Sequence, residues 1–303
     1  MAPRNFARLS RVLQLAPLLA SALAIAPARA TEAAAPVIVT YGVSIAHVPI
    51  GTAKFSETVK DQTFHLHLAA EFSGLVRMFF APDLSADSEG SVVNDRIVPK
   101  HYQMIVNHPD DPQKVSMSLV GGTVVSAELH PPLTVRADRI PVLPEHKHGV
   151  VDPLSGFLIP MKMGADVTPE LCTRVIPVFD GGGRFDITLS PGSAGTLDIP
   201  GYKGPVVTCP VRYTPISGHR EKKNNVTYME NNRDISVTLA PMAGKPYLVP
   251  VKISIATLIG DIRLEAEKVD GLELKPDTKP SNTSASSTSA SSTSASSTSA
   301  SSN

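Results

Sequence analysis

Two pairs of histidines have a spacing at which their side chains can share a ligand. His65 and His67 lie two positions apart in the alternating segment Phe64 to Leu68. Side chains two positions apart on a strand project from the same face, so both imidazoles can reach one metal ion. His146 and His148 have the same spacing in a predicted loop. The sequence names no third ligand, so we interpret both pairs as polar surface, predict no metal or cofactor, and keep His65 and His67 as candidate ligands.

A second group of side chains has the chemistry for hydrolysis. Its members are Asp180, Asp186, His219, Arg220 and Glu221. General acid–base hydrolysis of a wall polysaccharide needs two such groups in one open cleft. Structural roles compete, because Asp180 precedes three glycines of a predicted hairpin turn and Asp186 suits a solvent-facing strand position. The sequence lacks the common nucleophile, zinc-protease and phosphate-loop motifs, so it names no catalytic residue and favours a non-enzymatic protein over an envelope hydrolase.

Cys172 and Cys209 are the two cysteines of the chain. In an oxidising compartment such a pair predicts a disulfide. The alternative is two buried thiols that act as small apolar side chains. A zinc site would need more ligands at shorter spacings.

Short alternating segments between Pro- and Gly-containing turns predict an all-β fold. We expect a strongly curved antiparallel sheet or an open β-barrel or clam, with residues 131–144 as an extended connector and 226–230 as a strand. One short helix is predicted at about residues 152–162. There Asp152 suits the N-cap and Pro153 the first turn, and apolar residues follow at helical spacing.

Residues 1–30 have the pattern of a secretory signal peptide. Arg4, Arg8 and Arg11 precede a short apolar run that ends in Ala28-Arg29-Ala30, which predicts cleavage after Ala30. The apolar run is shorter than the roughly 20 residues that span a bilayer. Thr31 stands where a lipid-modified protein would have Cys. We therefore predict export without a membrane anchor.

The predicted mature chain divides into a body and a tail. Residues 31–280 are predicted to form one β-rich domain, and the Ser/Thr/Ala repeat at 281–303 lacks the apolar side chains needed to fold. The signal removes four basic residues and no acidic one, so a slightly acidic body remains. This balance argues against binding to nucleic acid or to strongly anionic membranes.

Several short stretches together resemble a bacterial exported family, domain of unknown function 3108, over about residues 37–268. The most specific are Asp152-Pro-Leu-Ser155 and Phe179-Asp-Gly181. The stretches around them are Tyr41 with Pro49-Ile-Gly51, Ser73-Gly-Leu75, His146 with Gly149, Arg184-Phe-Asp186, Cys209 with Tyr213, Gly218-His219, and Tyr247 with Pro250. The resemblance implies a β-rich fold and a periplasmic location in a Gram-negative cell, but no activity and no catalytic residues.

The leading hypothesis is a periplasmic, non-enzymatic β protein of cell-envelope maintenance that binds a lipid, a lipoprotein or a peptide. It requires an apolar concavity of several hundred Å³. The envelope hydrolase is the second hypothesis. The third is an interaction module that adds a strand to a partner, which an exposed strand edge without a cavity would favour.

Overall fold

Fifteen strands, joined as antiparallel neighbours, form the described part of the chain. The computed structural model describes residues 36–60, 62–73, 83–94, 96–108, 112–242 and 245–272. The predicted signal peptide, residues 74–82 and the predicted tail lie outside the described residues. The strands are β1 Val37–Ile45, β2 Val48–Lys60, β3 Thr63–Phe72, β4 Asp83–Val93, β5 Arg96–Asn107, β6 Gln113–Val120, β7 Thr123–His130, β8 Ile159–Pro160, β9 Arg174–Phe179, β10 Arg184–Leu189, β11 Ser193–Ile199, β12 Tyr202–Ser217, β13 Ile235–Pro241, β14 Tyr247–Ile255 and β15 Ile262–Asp270.

The strands form one open, curled sheet. Their order is β7-β6-β5-β4-β3-β2-β1-β15-β14-β13-β12-β10-β9, with β8 beside β14 and β11 beside β12. The β9–β10 turn comes so close to β6 that a side chain at Gly181 would collide with Val115. The two ends of the sheet thus approach each other, while no strand pairing among the described residues closes it into a barrel. This confirms the predicted all-β fold with a strongly curved antiparallel sheet.

Alternation of side chains gives the sheet its buried face. In β1, Val37, Val39, Tyr41 and Val43 are buried, and the residues between them are partly exposed. This period of two is what a strand with one covered face requires. The same pattern in the neighbouring strands lines the concave side with aliphatic and aromatic groups.

A segment between β7 and β9 crosses this concave side. Val150, Leu154 and Leu158 are buried in the larger hydrophobic core, to which β12–β15 contribute as well as the first strands, and the ring of Phe157 lies 5.9 Å from that of Phe55. The crossing segment therefore fills the concavity of β1–β7, which we call the first half of the sheet. Strands β9–β15 form the second half.

Two predicted elements are wrong. The helix expected at residues 152–162 is one 3-10 turn, Ser155–Phe157, followed by β8. Pro160 has no N–H to continue a helix, and β8 gains sheet bonds to β14 instead. The strand expected at 226–230 lies within the single α-helix of the described residues, α1 (Asn224–Asn231). Its Met229 packs against a second hydrophobic core, which is formed by residues of β8, β10, β12, β13 and β14. Tertiary packing here outweighs the strand preference of Val226 and Tyr228.

Candidate ligand groove

An apolar groove of about 290 Å³ lies against the second half of the sheet. Its volume is at the lower end of the range for small-molecule sites. The floor comes from β9, β10, β12, β13 and β14, and one wall comes from the crossing segment. Ser236 is the one residue with a polar side chain among those that line it.

The floor is apolar because adjacent strands turn alternate residues toward it. Phe185, Ile187 and Leu189 occupy every second position of β10. On β13, Ile235, Val237 and Leu239 do the same. Ile187 is only partly buried, whereas Leu239 is 1% exposed. The groove is thus a packed floor whose outer residues remain available to a ligand.

The wall is held in place by Asp152. One oxygen of its carboxylate accepts the backbone N–H groups of Leu154 at 2.9 Å and Ser155 at 2.8 Å. The other accepts the hydroxyls of Ser155 at 2.6 Å and Ser88 at 2.8 Å. The capping role predicted for Asp152 is present, but around a 3-10 turn. Because Ser88 belongs to β4, the same carboxylate ties the wall to the first half of the sheet.

Burial dominates the electrostatics of this carboxyl group. Asp152 has no exposed surface, and burial raises its pKa above the ordinary value although the hydrogen bonds to Ser155, Ser88 and Leu154 act in the opposite direction. The carboxyl group of Asp152 therefore holds a proton more readily than an exposed Asp does, because burial disfavours its charged form.

A second buried acid, Glu57, connects the two halves of the sheet. Tyr247 at the start of β14 donates a hydrogen bond to Glu57 on β2, and both are almost fully buried. Burial raises the pKa of Glu57, and the hydrogen bond from Tyr247 and the charge of Lys245 offset this in part. The other carboxyl oxygen of Glu57 has no hydrogen-bond partner among the described residues. The sequence analysis missed Glu57, although it shares an alternating face with Ala53 and Phe55.

The predicted disulfide is present and lies in the same core as the groove floor. Cys172 and Cys209 are joined and fully buried, with Cα atoms 5.5 Å apart. Cys172 ends a 3-10 turn before β9, and Cys209 lies in β12. The bond therefore fixes the segment that leads into the end strand of the sheet.

A second cavity, of about 420 Å³, lies on the other side of the crossing segment. Gly121, Gly122 and Gly149 expose backbone to it, and Arg174 contributes a cation. The guanidinium of Arg174 already donates to the carbonyls of Leu171 and Pro160. This cavity is more polar than the groove and does not match the predicted apolar concavity.

The candidate metal ligands His65 and His67 lie on the exposed face of β3, opposite its buried side chains. His67 Nδ1 is 2.7 Å from Asp87 Oδ1, and His65 Nδ1 is 3.5 Å from Glu89 Oε2. His101, on β5, also approaches Glu89, at 3.8 Å. Across the described ranges, no three His, Cys, Asp or Glu side chains are arranged to hold a metal ion.

Three of the five side chains named for a hydrolase have structural partners, whereas Nδ1 of His219 is buried without a hydrogen-bond partner among the described residues. Asp180 Oδ1 accepts the backbone N–H groups of Gly182 and Gly183 in the β9–β10 turn. Asp186 pairs with Arg184 at 2.8 Å. Arg220 pairs with Asp138, also at 2.8 Å. None of these named side chains lines the apolar groove or the polar cavity, so the geometry gives no support to a hydrolytic centre.

These features define a class of protein: an open antiparallel β-sheet with an apolar groove, fastened by buried acids and a disulfide. The chain belongs to the family described as protein of unknown function (DUF3108), whose profile matches residues 39–267. No curated protein matches the sequence significantly.

Among solved structures, the chain is similar to the beta-barrel-like protein of domain of unknown function DUF1849 from Brucella abortus. The two are 10% identical with a TM-score of 0.42, over 78% of this chain and 98% of the other. Nothing about function follows from a likeness of this degree.

Several residues that carry the family resemblance contact one another in the structure. Tyr41 donates a 2.6 Å hydrogen bond to the carbonyl of Pro250. Asp152 binds Ser155, and Arg184 binds Asp186. These residues hold strands and turns together, while the groove is lined by aliphatic residues of ordinary strands. The sequence signal for the groove was thus only the alternation of those strands.

No helix in the described part of the chain is long and apolar enough to cross a bilayer.

Proposed function

We propose that this protein is a non-enzymatic binding protein of the periplasm that holds the acyl chain of a lipid or lipoprotein in its apolar groove. The observation that carries the proposal is the groove itself, whose lining is almost entirely aliphatic and aromatic. Burial of such surface favours binding in proportion to the apolar area removed from water.

The lining favours an acyl chain over a peptide. A peptide brings N–H and C=O groups that must be paired when water is excluded. The side chains that point into the groove are apolar, because Ser236 alternates with Ile235 and Val237 and belongs to the other face of β13. An acyl chain has no such groups, so the same lining suits it without unpaired polar atoms.

The proposed location rests on residues 1–30 and on the disulfide. A disulfide between buried cysteines is typical of proteins that fold in an oxidising compartment. The location is tested by isolating the protein from the periplasmic fraction and reading its N-terminus, which we expect at Thr31. An N-terminus at Met1 would contradict export by signal cleavage.

Binding is tested by filling the groove from its wall. A Cβ at Gly156 would make ordinary contacts of 3.8–3.9 Å with Ile176, Val151 and Val178, so the position accepts a methyl group, and a larger side chain meets the groove-lining Ile176 and Val178. We expect Gly156→Leu to weaken binding of a fluorescent fatty acid at least about tenfold, because ligand contacts are replaced by protein.

Gly156→Ala is the matched control and should bind the fatty acid like the wild type. Native mass spectrometry of the purified wild-type protein should also detect copurified lipid. A wild-type protein that binds no fatty acid would reject the function. So would a folded Gly156→Leu protein that binds it normally.

A further inference from the structure

The turn between β14 and β15 places two aliphatic residues at its corners. The backbones of Thr257 and Gly260 exchange hydrogen bonds of 3.2 Å in both directions, and Thr257 Oγ1 accepts the N–H of Ile259 at 3.3 Å. Gly260 has a positive φ of 119°, which completes the reversal. Leu258 and Ile259 therefore sit at the two corner positions of a well-bonded turn.

These corner residues are unusual for a turn. Turn corners favour Gly, Pro, Asn and Asp, whose conformational preferences suit the backbone. Leu258 is 67% exposed and Ile259 is 66% exposed, so neither contributes much to the core. Folding of the turn does not explain why both residues are large and apolar.

A neighbouring turn adds a third exposed aliphatic side chain. Val48, at the start of β2, is 58% exposed. The two turns contact each other, since Ala46 N–H donates to the carbonyl of Asp261 at 2.9 Å and Gly260 lies against Ala46. The end of the sheet formed by these turns thus presents three aliphatic side chains to solvent.

The same end of the sheet adjoins the groove. Ile235 and Ile255 are partners across β13 and β14, and both line the groove floor. Leu258 follows Ile255 by three residues. The segment between them is held by hydrogen bonds from Ala256 N–H to the carbonyl of Asp234 and from Asn232 to the carbonyl of Ala256. A surface that contacts the turn is therefore next to one end of the groove.

We propose that this turn docks on a lipid bilayer by inserting Leu258 and Ile259 between the headgroups. The inference rests on the function proposed above, because a bilayer is where a protein that holds acyl chains meets its ligand. Aliphatic side chains on a projecting turn suit the headgroup–acyl boundary. A stable protein partner would need about 800 Å² on each side, far more than two turns present.

Insertion, not charge, drives this contact. The nearby cation Arg263 is already paired with Asp261 and with His47. The predicted mature body is slightly acidic. Binding to vesicles of zwitterionic phosphatidylcholine should therefore persist as the salt concentration is raised.

The experiment measures flotation of the protein from Thr31 onward, without the predicted signal peptide, with phosphatidylcholine vesicles. The double variant Leu258→Asp/Ile259→Asn places turn-forming residues at the corners, so the protein should keep its thermal midpoint. We expect it to lose vesicle binding at least about tenfold and to bind free fluorescent fatty acid like the wild type. The control Val125→Asp/Val135→Asp changes two exposed aliphatic residues elsewhere, which are 61% and 95% exposed, and should float like the wild type.

The outcomes separate docking from groove binding. Docking is overturned if the wild type does not float, if the turn variant floats normally, or if the control variant is equally impaired. If the turn variant alone loses flotation while no form of the protein binds the fatty acid, docking stands and the proposed function fails.

Discussion

The two halves of the sheet are built from the same kind of alternating strand, but their apolar faces are covered to different extents. In the first half, Val150, Leu154 and Leu158 of the crossing segment complete the core. In the second half, Ile176, Ile187 and Ile253 remain only partly buried around an open groove. Adjacent residues such as Leu239 and Ala240 belong to different cores, so this part of the sheet is apolar on both faces, and one of these faces stays available to a ligand.

The two halves are also fastened differently. Buried polar groups, Asp152 with Ser88 and Glu57 with Tyr247, tie the first half to its cover and to β14. A covalent bond, Cys172–Cys209, fastens the second half. A region that leaves part of its core open has less apolar burial to stabilise it, which is consistent with its use of a disulfide.

Of the substitutions that test this difference between the two halves, loss of the disulfide should change stability most. We expect Cys172→Ala/Cys209→Ala to lower the free energy of unfolding by about 4 kcal/mol, since the closed loop spans a sequence separation of 37. Urea denaturation measures this loss. Hydrogen exchange should accelerate in β9 and β12 and change less in β2–β4. An unchanged urea midpoint, or uniform acceleration in both halves, would remove the distinction.

Loss of the Asp152 carboxylate should weaken the first half. Asp152→Ala leaves two backbone N–H groups without their acceptor and leaves the hydroxyls of Ser88 and Ser155 with only each other, so we expect a loss of about 3 kcal/mol in urea denaturation. Fatty acid binding should also weaken because the groove wall is released. The exposed Asp166→Ala is the control and should change stability by less than about 0.5 kcal/mol. Equal effects of the two substitutions would contradict the anchoring role.

Glu57 should make stability depend on pH. Its folded pKa is raised above the ordinary value of 4.5, so the folded state keeps a proton that the unfolded chain has released. Its stabilising contribution is fully present below that ordinary value and is lost as pH rises through the folded pKa. We expect the thermal midpoint of Glu57→Gln to fall less steeply than that of the wild type over this rise in pH. The exposed Glu128→Gln should keep the wild-type slope, and an unchanged slope in Glu57→Gln would contradict the prediction.

The exposed face of β3 and β4 should contribute least to stability. The side chains of His67 and Asp87 are 48% and 62% exposed, and exposed ion pairs are worth little. We expect His67→Ala to change the free energy of unfolding by less than about 0.5 kcal/mol. A loss above about 2 kcal/mol in urea denaturation would show that this face has a structural role that its exposure conceals.

Local sequence predicted the elements well where local physics decides them. Strands such as Val37–Ile45 follow from alternation, and the Asp180–Gly183 turn follows from glycine's conformational freedom. Prediction was wrong at residues 152–162 and 226–230, where contacts distant in the sequence decide the conformation. The apolar spacing at 152–162 is compatible with a helix, but β14 offers sheet bonds that the local sequence does not reveal.

The sequence predicted the chemical character of the candidate site but not the residues that line it. An apolar concavity followed from many amphipathic strands, but its lining did not, because Ile187, Ile235 and Ile253 meet only through the pairing of β10, β12, β13 and β14. The clustering of His65, Glu89 and His101 likewise depends on the register of three strands.

By itself, the sequence determined the alternating strands, the cysteine pair as a candidate disulfide, and the export pattern of residues 1–30, since each depends on residues close together or on composition. Only the tertiary structure decided that Glu57 meets Tyr247, that Asp152 meets Ser88, and that one half of the sheet keeps an open groove beside an aliphatic turn. These pairings join residues 64 to 190 positions apart, and strand order and register bring them together.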